Sequence, residues 1–451
     1  MKQFDLIVVG GGIGGYTAAL KAAKNGLSVA LIEKTEWGGT CLNKGCIPTK
    51  AFVHSAELFR EASRGEQFGI LCEPKADFTK IAEYRNGVVK RLRDGLVGML
   101  QNAGIEMITD EAEFADENVL RLKQANRLVK GDDIVLAVGA KPYVPEIEGI
   151  EFAHVSDDLL LQNLAIPDNI LIIGGGVIGA EFASAFRGFG KNVTIAEMTD
   201  RILKGFDGDV SQYTASLFRR EKVNILTRAL TKKICKAETG FDVVFETPSG
   251  ETVVNTEFVL FSAGRIPNLE GLHLEKAHVA FTPNGITTDE NFVTSNSHVY
   301  AVGDCNGKMQ LAHAAAAQAE TAMDYLLGIR EGKDLSAMPR CVYTSLEIAE
   351  TGKNEEQCKR ENLAYVVGKA PLSSNGKCVI SGKDRGFAKV LFERESGRIL
   401  GASLLCDRAT DFIGELTLAI VNRLTRDDIL KTVYPHPTVC EILTECARNA
   451  Q

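Results

Sequence analysis

No run of lysine or arginine long enough to build a nucleic-acid or membrane face occurs anywhere in the 451 residues. With 51 Lys and Arg against 59 Asp and Glu, the chain carries a formal net charge of −8. Neither a nucleic acid nor a membrane surface is indicated as a partner. Missing too is any apolar stretch long enough to span a bilayer. A charged leader followed by an apolar run and a cleavage site is also lacking, because the chain enters a strand at once with Phe4-Asp5-Leu6-Ile7-Val8-Val9. These absences lead us to expect a cytoplasmic protein. The last thing lacking is an even disulfide framework. Cysteine occurs 11 times, and Cys72, Cys235, Cys305, Cys341, Cys358, Cys378 and Cys406 are scattered singly, as buried thiols would be.

What is present is ordinary in bulk and unusual in detail. Apolar residues make up 45% and charged residues 24%, as in a typical globular protein, and the length fits about three domains at roughly 150 residues each. Two segments copy each other. "DLIVVGGGIGGYTAALKAAKNGLSVALIEK" carries Gly10, Gly12, Gly15 and Glu33, and "NILIIGGGVIGAEFASAFRGFGKNVTIAEM" carries Gly174, Gly176, Gly179 and Glu197. In both, the third glycine precedes the acid by 18 residues, from 15 to 33 and from 179 to 197.

Each copy runs apolar strand, glycine turn, amphipathic helix, second strand, acid, the order of a dinucleotide-binding βαβ unit. The first glycine makes the tight turn, the second lets the backbone approach a pyrophosphate, and the third lets helix and strand pack closely. The helix N-terminus then faces the phosphates, and the acid accepts ribose hydroxyls. Two complete units imply two bound nucleotides. At the second site, Glu197 is followed by Met198-Thr199-Asp200, with no adjacent arginine to meet a 2′-phosphate, so NAD is expected over NADP. Arg201 is the one cation nearby.

"GGTCLNKGCIPTK", Gly38 to Lys50, places Cys41 and Cys46 five residues apart. Five residues of regular helix rise ~7.5 Å, beyond the ~6.8 Å between Cα atoms that a disulfide tolerates. The pair can bond only where the backbone leaves the helix, which Gly45 permits. A bridge over so short a loop restrains the unfolded chain little and is easily reduced. Zinc binding and idle core thiols are the competing readings, although metal pairs usually sit at CxxC spacing with partner ligands. The preferred reading is a redox switch beside a flavin.

These residues carry a resemblance. "GGTCLNKGCIPTK" resembles the redox-disulfide motif of the pyridine nucleotide–disulfide oxidoreductases, and its Cys-Leu-Asn and Gly-Cys-Ile-Pro wording is most similar to the dihydrolipoamide dehydrogenases. "HVYAVGD" resembles that family's second FAD motif, "SAGRIPN" the strand closing its NAD domain, and "HPTVCE" its C-terminal His-Pro-Thr…Glu. The resemblance covers essentially the whole chain. It implies an α/β fold of two Rossmann-like dinucleotide-binding domains plus a C-terminal α+β dimerisation domain. The expected division is 1–145 and 266–337 for FAD, 146–265 for NAD and 338–451 for the interface, with residues 328–340 as a linker.

By the same resemblance, FAD would be held by Gly10, Gly12, Gly15, Glu33, Thr40, Lys50, Ala112, Gly139, Asp304 and Ala312. NAD would be held by Gly174, Gly176, Val177, Ile178, Gly179, Glu197, Ala263 and Gly264. Asp304 would bind the ribityl chain, and the alanine-rich helix from about Leu311 would aim its positive end at the isoalloxazine, with His313 nearby. Cys46 would touch the flavin and Cys41 would exchange with substrate. Lys50 would sit by the flavin ring, paired with Glu181 (a surface ion pair is the plainer reading). His436 would be the base that takes a dihydrolipoyl proton, and Glu441 would orient it. Thr438-Val439-Cys440-Glu441 also reads as a capping box of the last helix. No metal is implied.

The activity implied is oxidation of protein-bound dihydrolipoyl groups through the Cys41–Cys46 disulfide and FAD, with reduction of NAD. The partners implied are a second copy of the chain, and lipoyl-bearing proteins of the 2-oxo acid dehydrogenase complexes or the glycine cleavage system. No lipoyl-carrying domain precedes Met1, so the lipoyl group is expected on another protein. A related NAD(P)H-dependent disulfide reductase is the alternative, and a flavoprotein without turnover is a third possibility. Two departures stand out. Tyr434 occupies a place where many dihydrolipoamide dehydrogenases have a histidine, and Cys440 a place that is commonly serine. Mercuric reductases resemble the family too but end in adjacent cysteines, whereas Cys440 and Cys446 stand six apart.

Overall fold

β1 (Lys2–Val9), α1 (Ile13–Lys24) and β2 (Val29–Glu33) form the first βαβ unit as its apolar pattern predicts. They belong to a computed structural model that describes residues 1–161, 166–329 and 333–450. The short α2 (Gly39–Lys44) and the longer α3 (Cys46–Ser63) follow, then α4 (Phe78–Asn102), whose Asp77 cap accepts the backbone N–H groups of Thr79 and Lys80. β3 (Glu106–Thr109), β4 (Ala112–Asp116), β5 (Val119–Leu122) and β6 (Arg127–Leu136) extend the sheet in the order β3-β2-β1-β6-β5-β4. β1, β2, β3 and β6 run parallel. The inner strands are buried on both faces, which is why they read as unbroken apolar runs.

β7 (Ala140–Pro142) leaves this sheet. The second unit is built from β8 (His154–Val155), α5 (Ser156–Leu161), β9 (Asn169–Ile173), α6 (Val177–Gly188), β10 (Asn192–Glu197), α7 (Gly208–Arg220) and β11 (Asn224–Thr227). An antiparallel layer of β12 (Leu230–Lys236), β13 (Phe241–Thr247) and β14 (Gly250–Thr256) precedes β15 (Phe258–Phe261). The parallel sheet has the order β11-β10-β9-β15-β8. β16 (Arg265–Pro267) pairs antiparallel with β7, so the chain departs from the first sheet and returns to it through one two-stranded ribbon. After the hairpin of β17 (Phe281–Thr282) and β18 (Gly285–Ile286), β19 (Val299–Ala301) joins β6 as a seventh strand and α8 (Ala312–Leu326) packs on α1.

The third unit changes character, as expected. β20 (Arg340–Val342), β21 (Glu347–Gly352), α9 (Glu355–Arg360), β22 (Tyr365–Pro371), α10 (Gly376–Ile380), β23 (Phe387–Glu393) and β24 (Ile399–Cys406) lead to α11 (Ala409–Val421), α12 (Arg426–Lys431) and α13 (Ile442–Arg448). Its antiparallel sheet has the order β20-β21-β24-β23-β22. α11 stops before the apolar pattern of "ATDFIGELTLAIVNRL" ends. Arg423 takes a φ of 55°, its N–H donates to Ile420 O, and the Leu424 N–H donates to Ala419 O, so a Schellman closure ends the helix. Of the linker expected at 328–340, residues 330–332 lie outside the described residues.

One apolar cluster ties the three units together. Phe52 of α3 lies 6.3 Å from Phe182, 5.7 Å from Phe186 and 5.4 Å from Phe189 by ring centroids, which clamps α3 to α6. Val342, Ile348 and Leu405 of the third unit join the same cluster. Each such aromatic pair contributes about 0.5–1.5 kcal/mol beyond burial. The clamp fixes what the two helices carry at their N-terminal ends.

Candidate active site

The stretch between the two redox thiols is two helices and a break. α2 ends at Lys44, Gly45 takes φ −134° and ψ −114°, and α3 begins at Cys46. Pro48 is tolerated because the first helical turn has no N–H partners to lose. The Thr49 hydroxyl donates to Gly45 O at 2.6 Å, and the buried Asn43 amide donates to Trp37 O and Gly39 O, each at 3.0 Å. The "Cys-Leu-Asn" wording thus has a local cause: the asparagine closes the loop that presents Cys41.

The two thiols are held in different states. Cys41 donates its S–H to Cys46, and that hydrogen bond, followed by burial, pushes the Cys41 thiol well above its ordinary range. The same bond is the largest cause lowering Cys46 to about 7; Lys50 lowers it further, against burial and Glu181. Cys46 is also the first residue of α3, where the helix dipole favours a thiolate. The pair is therefore poised as a thiol beside a thiolate.

Lys50 lies one turn on from Cys46. Its Nζ contacts both carboxylate oxygens of Glu181, at 2.9 and 2.8 Å, across the α3–α6 clamp. Glu181 is buried and also accepts the Tyr343 backbone N–H at 3.1 Å, while the Tyr343 ring lies 4.6 Å from the ammonium. Burial pulls Lys50 toward neutrality, and the Glu181 carboxylate outweighs it, so the cation persists. The surface-pair reading is excluded by this burial.

The two glycine repeats agree atom by atom. A Cβ on Gly15 would lie 1.8 Å from Gly10 O, and one on Gly179 1.9 Å from Gly174 O, so helix and strand approach as only glycine allows. In front of Gly176 there is open space, and a Cβ on Gly12 would meet only Gly39 Cα at 3.7 Å. The acids repeat the pattern. Glu33 accepts from Gly11 N at 2.7 Å and Thr35 N at 2.9 Å, and Glu197 accepts from Gly175 N and Thr199 N, each at 2.7 Å. Their oxygens are fixed toward one cavity of about 1550 Å³.

Gly10, Gly12, Glu33, Thr40, Cys41, Cys46, Lys50, Ala112, Gly139, Asp304 and Ala312 line that cavity. Gly174, Gly176, Val177, Ile178, Glu181, Glu197, Ala263 and Gly264 line it as well. The open floor at the middle glycines and the inward acids fit two dinucleotides sharing one cavity, with the thiols and Lys50 in its wall. Asp304 is raised by burial, opposed by Arg265. Leu311 and Ala312 bring the start of α8 to the cavity. His313 turns away from it: its Nε2 lies 2.7 Å from Pro339 O, tying α8 to the strand that opens the third unit.

The comparisons with known proteins meet this geometry directly. Residues 4–319 match the pyridine nucleotide-disulphide oxidoreductase family, and residues 338–447 match its dimerisation domain. The chain belongs to that family. It is 35% identical to a dihydrolipoyl dehydrogenase of Staphylococcus aureus, over 99% of this chain and 97% of that protein. To a dihydrolipoyl dehydrogenase of Bacillus subtilis it is 34% identical, over 99% and 98%. Among solved structures, the HOCl-induced flavoprotein disulfide reductase RclA from Escherichia coli superposes with a TM-score of 0.89 at 28% identity, covering 98% of this chain and 99% of that one. Proteins of this family use FAD and NAD(H).

Four of the site residues expected from sequence do not line the cavity: Gly15 and Gly179, which pack helix against strand, and His436 and Glu441. His436 has a side chain 79% exposed, and neither it nor Glu441 lines the cavity. Within the chain the two are joined: His436 Nδ1 donates to Glu441 Oε1 at 2.9 Å, which leaves Nε2 facing out. Glu441 Oε2 accepts the Thr438 N–H at 2.8 Å, and this bond, followed by the one to His436, holds the carboxyl below its usual range. Half of the expected capping box is therefore real. The other half is not: no backbone N–H of the last helix donates to the Thr438 hydroxyl, since α13 starts only at Ile442, and the hydroxyl itself donates to Pro435 O.

Sequence reasoning missed the groups that surround the predicted ones. Tyr343 under Lys50, Arg265 beside Asp304, and Cys341 in the cavity wall all come from stretches with no motif of their own except "SAGRIPN". Burial raises Cys341 to about 11, so it stays a thiol. The sole cluster able to hold a metal among the described residues is Asp207, Asp209 and Glu355. Lys389 already sits among them at 2.6, 3.1 and 2.7 Å, so an ammonium takes the place of an ion.

Proposed function

We propose that the protein is a dihydrolipoyl dehydrogenase that oxidises protein-borne dihydrolipoyl groups and reduces NAD. What carries the reading is the thiol–thiolate pair Cys41–Cys46 set beside the Lys50–Glu181 pair between two dinucleotide loops, in a chain that matches dihydrolipoyl dehydrogenases end to end. Residues 1–145 with 266–337, 146–265 and 338–451 are taken as the FAD, NAD and interface domains. FAD, when bound, supplies the two-electron relay between the thiols and the nicotinamide.

The chain's own residues account for the rest. A dihydrolipoyl thiol, deprotonated by His436, attacks Cys41 Sγ of the oxidised pair, and Cys46 leaves as the thiolate that Lys50 and the α3 terminus stabilise. The second dihydrolipoyl thiol then attacks the mixed disulfide, releasing cyclic lipoyl disulfide and the Cys41 thiol. Glu441 holds the imidazole and offsets its positive charge. An exposed His436 and a matched dimerisation domain support a homodimer in which the histidine of one subunit serves the disulfide of the other.

Glu197 supports NAD as the acceptor. Its carboxylate would meet a 2′-phosphate as a like charge. The one candidate cation is engaged elsewhere: Arg201 Nη2 contacts Glu356 at 2.7 Å and Lys204 O at 3.3 Å. We expect kcat/KM for NAD at least ~10-fold above NADP, since a clash of about 1.4 kcal/mol suffices. Equal values in steady-state assays would discard the role of Glu197.

The second reading, reduction of a different disulfide by NADH, has one local observation behind it. Tyr434 donates to Glu415 at 2.7 Å, giving the approach to His436 a neutral, tethered neighbour. Turnover with dihydrolipoamide and NAD, set against NADH-driven reduction of a panel of other disulfides, separates the two. The first reading expects dihydrolipoamide to exceed every other thiol in kcat/KM, and a better disulfide substrate would replace it.

A further inference from the structure

Asp157 is a buried carboxylate that the proposed chemistry does not use. Lys44 Nζ lies 3.1 Å from its Oδ2, and Arg265 Nη1 lies 2.9 Å from its Oδ1. The other terminal nitrogen of Arg265 donates to Ala140 O at 2.9 Å. Four elements thus meet on one side chain: the redox helix α2, the helix α5 that opens the NAD unit, and both strands of the crossing ribbon. Burying a carboxylate is costly unless cations pair with it in this way. Lys44 stands between the two redox cysteines, two residues before Cys46, so its backbone lies within about 7 Å of that thiol's backbone.

We propose that Asp157 is a positioning residue for the redox reaction: it anchors the Cys41–Cys46 segment to the ribbon joining the two nucleotide domains and, by neutralising Lys44, sets the charge that Cys46 feels. The inference rests on Cys46 being the flavin-facing thiol. The charged and titratable groups that act most strongly on Cys46 are Cys41 from α2, Lys50 from α3 and Glu181 from α6, with Cys341 of β20 bearing on the same Lys50 and Glu181. None of these is paired with Lys44, whose carboxylate partner among the described residues is Asp157. Removing the Asp157 charge leaves Lys44 without its carboxylate partner, while Arg265 keeps Ala140 O and the nearby Asp304. The added positive charge favours thiolate over thiol, by about half a pH unit to one unit for charges ~10 Å apart in a partly polar medium.

The test is the pH midpoint of the long-wavelength charge-transfer band in the reduced holoenzyme. In Asp157→Asn the midpoint is expected to fall by roughly half a unit to one unit. Lys44→Met removes the cation itself and should shift the midpoint upward. Asp157→Glu restores the charge and should return it to the wild-type value. Midpoints within about 0.1 unit of wild type in both Asp157→Asn and Lys44→Met would overturn the proposal, as would an Asp157→Glu midpoint that stays with the asparagine variant. Should Asp157→Asn fail to fold, Lys44→Met decides alone, because its side chain is 40% exposed. A reduced wild type with no band at all would instead remove the assignment of Cys46, and the inference with it.

Discussion

Cys46→Ser is expected to reduce dihydrolipoamide oxidation to background and to erase the long-wavelength band of the reduced holoenzyme. The two losses share one cause. Without Cys46 there is no disulfide for a substrate thiol to attack and no thiolate beside the flavin. Cys41→Ala separates them: turnover is lost for the same reason, but the thiolate remains, and so does the band. Its pH behaviour should change in a stated direction. The wild-type band rises as pH passes about 7, the value to which the Cys41 hydrogen bond lowers Cys46, and fades on acidification below it. Loss of that bond withdraws the largest stabilising cause, so the Cys41→Ala midpoint moves upward. A spectrophotometric pH titration of the reduced proteins reads all of this. A band that persists in Cys46→Ser would give the flavin-facing role to another residue.

His436→Gln should cut dihydrolipoamide turnover by about 10²–10⁴-fold, the usual worth of a positioned base. Hydride exchange between NADH and an artificial acceptor needs no proton from this imidazole and should continue. Because His436 is exposed in the single chain and absent from the cavity wall, a sharper outcome follows. Subunits carrying His436→Gln and others carrying Cys41→Ser, each inactive as homodimers, should regain activity when mixed. In a mixed dimer one site joins the intact Cys41 to the intact His436, while the other holds both lesions. Random mixing makes half the dimers mixed, with half their sites working, so about a quarter of wild-type activity should return. If base and disulfide belonged to one subunit, every site would carry a lesion. No recovery, with mixed dimers shown to form, would therefore reject the shared site.

How much of this was legible in the sequence depends on whether the cause was local. The glycine repeats were readable because a Cβ on the third glycine would lie only 1.8 or 1.9 Å from the first glycine's carbonyl oxygen, which leaves a mark at fixed spacing. The redox segment was readable for a similar reason, since Gly45 breaks the helix between its thiols. Glu181 was reachable only through resemblance: nothing in its own surroundings announces a partner 131 residues away. Asp157 and Arg265, 108 residues apart, were illegible because neither carries a motif that names the other. His313 was placed beside the flavin from its position at the start of α8, but one residue of rotation on a helix decides which way a side chain turns. Only half of the capping box formed, because α13 starts at Ile442 and no N–H of its first turn reaches the Thr438 hydroxyl.

The crossing ribbon of β7 and β16 makes the second βαβ unit an insertion in the topological sense. The host sheet stops at β6, a whole nucleotide-binding module follows, and the host resumes beside the point where it was interrupted. An insertion whose two ends are neighbours adds little loop-closure entropy to the host fold, however long it is. The module could therefore have been acquired, exchanged or lost as one piece without re-threading the sheet that holds the first nucleotide. What prevents its free exchange is side-chain contact: the Phe52 clamp, the Lys50–Glu181 pair and Asp157 all reach across the junction, and any replacement module would have to supply the matching halves.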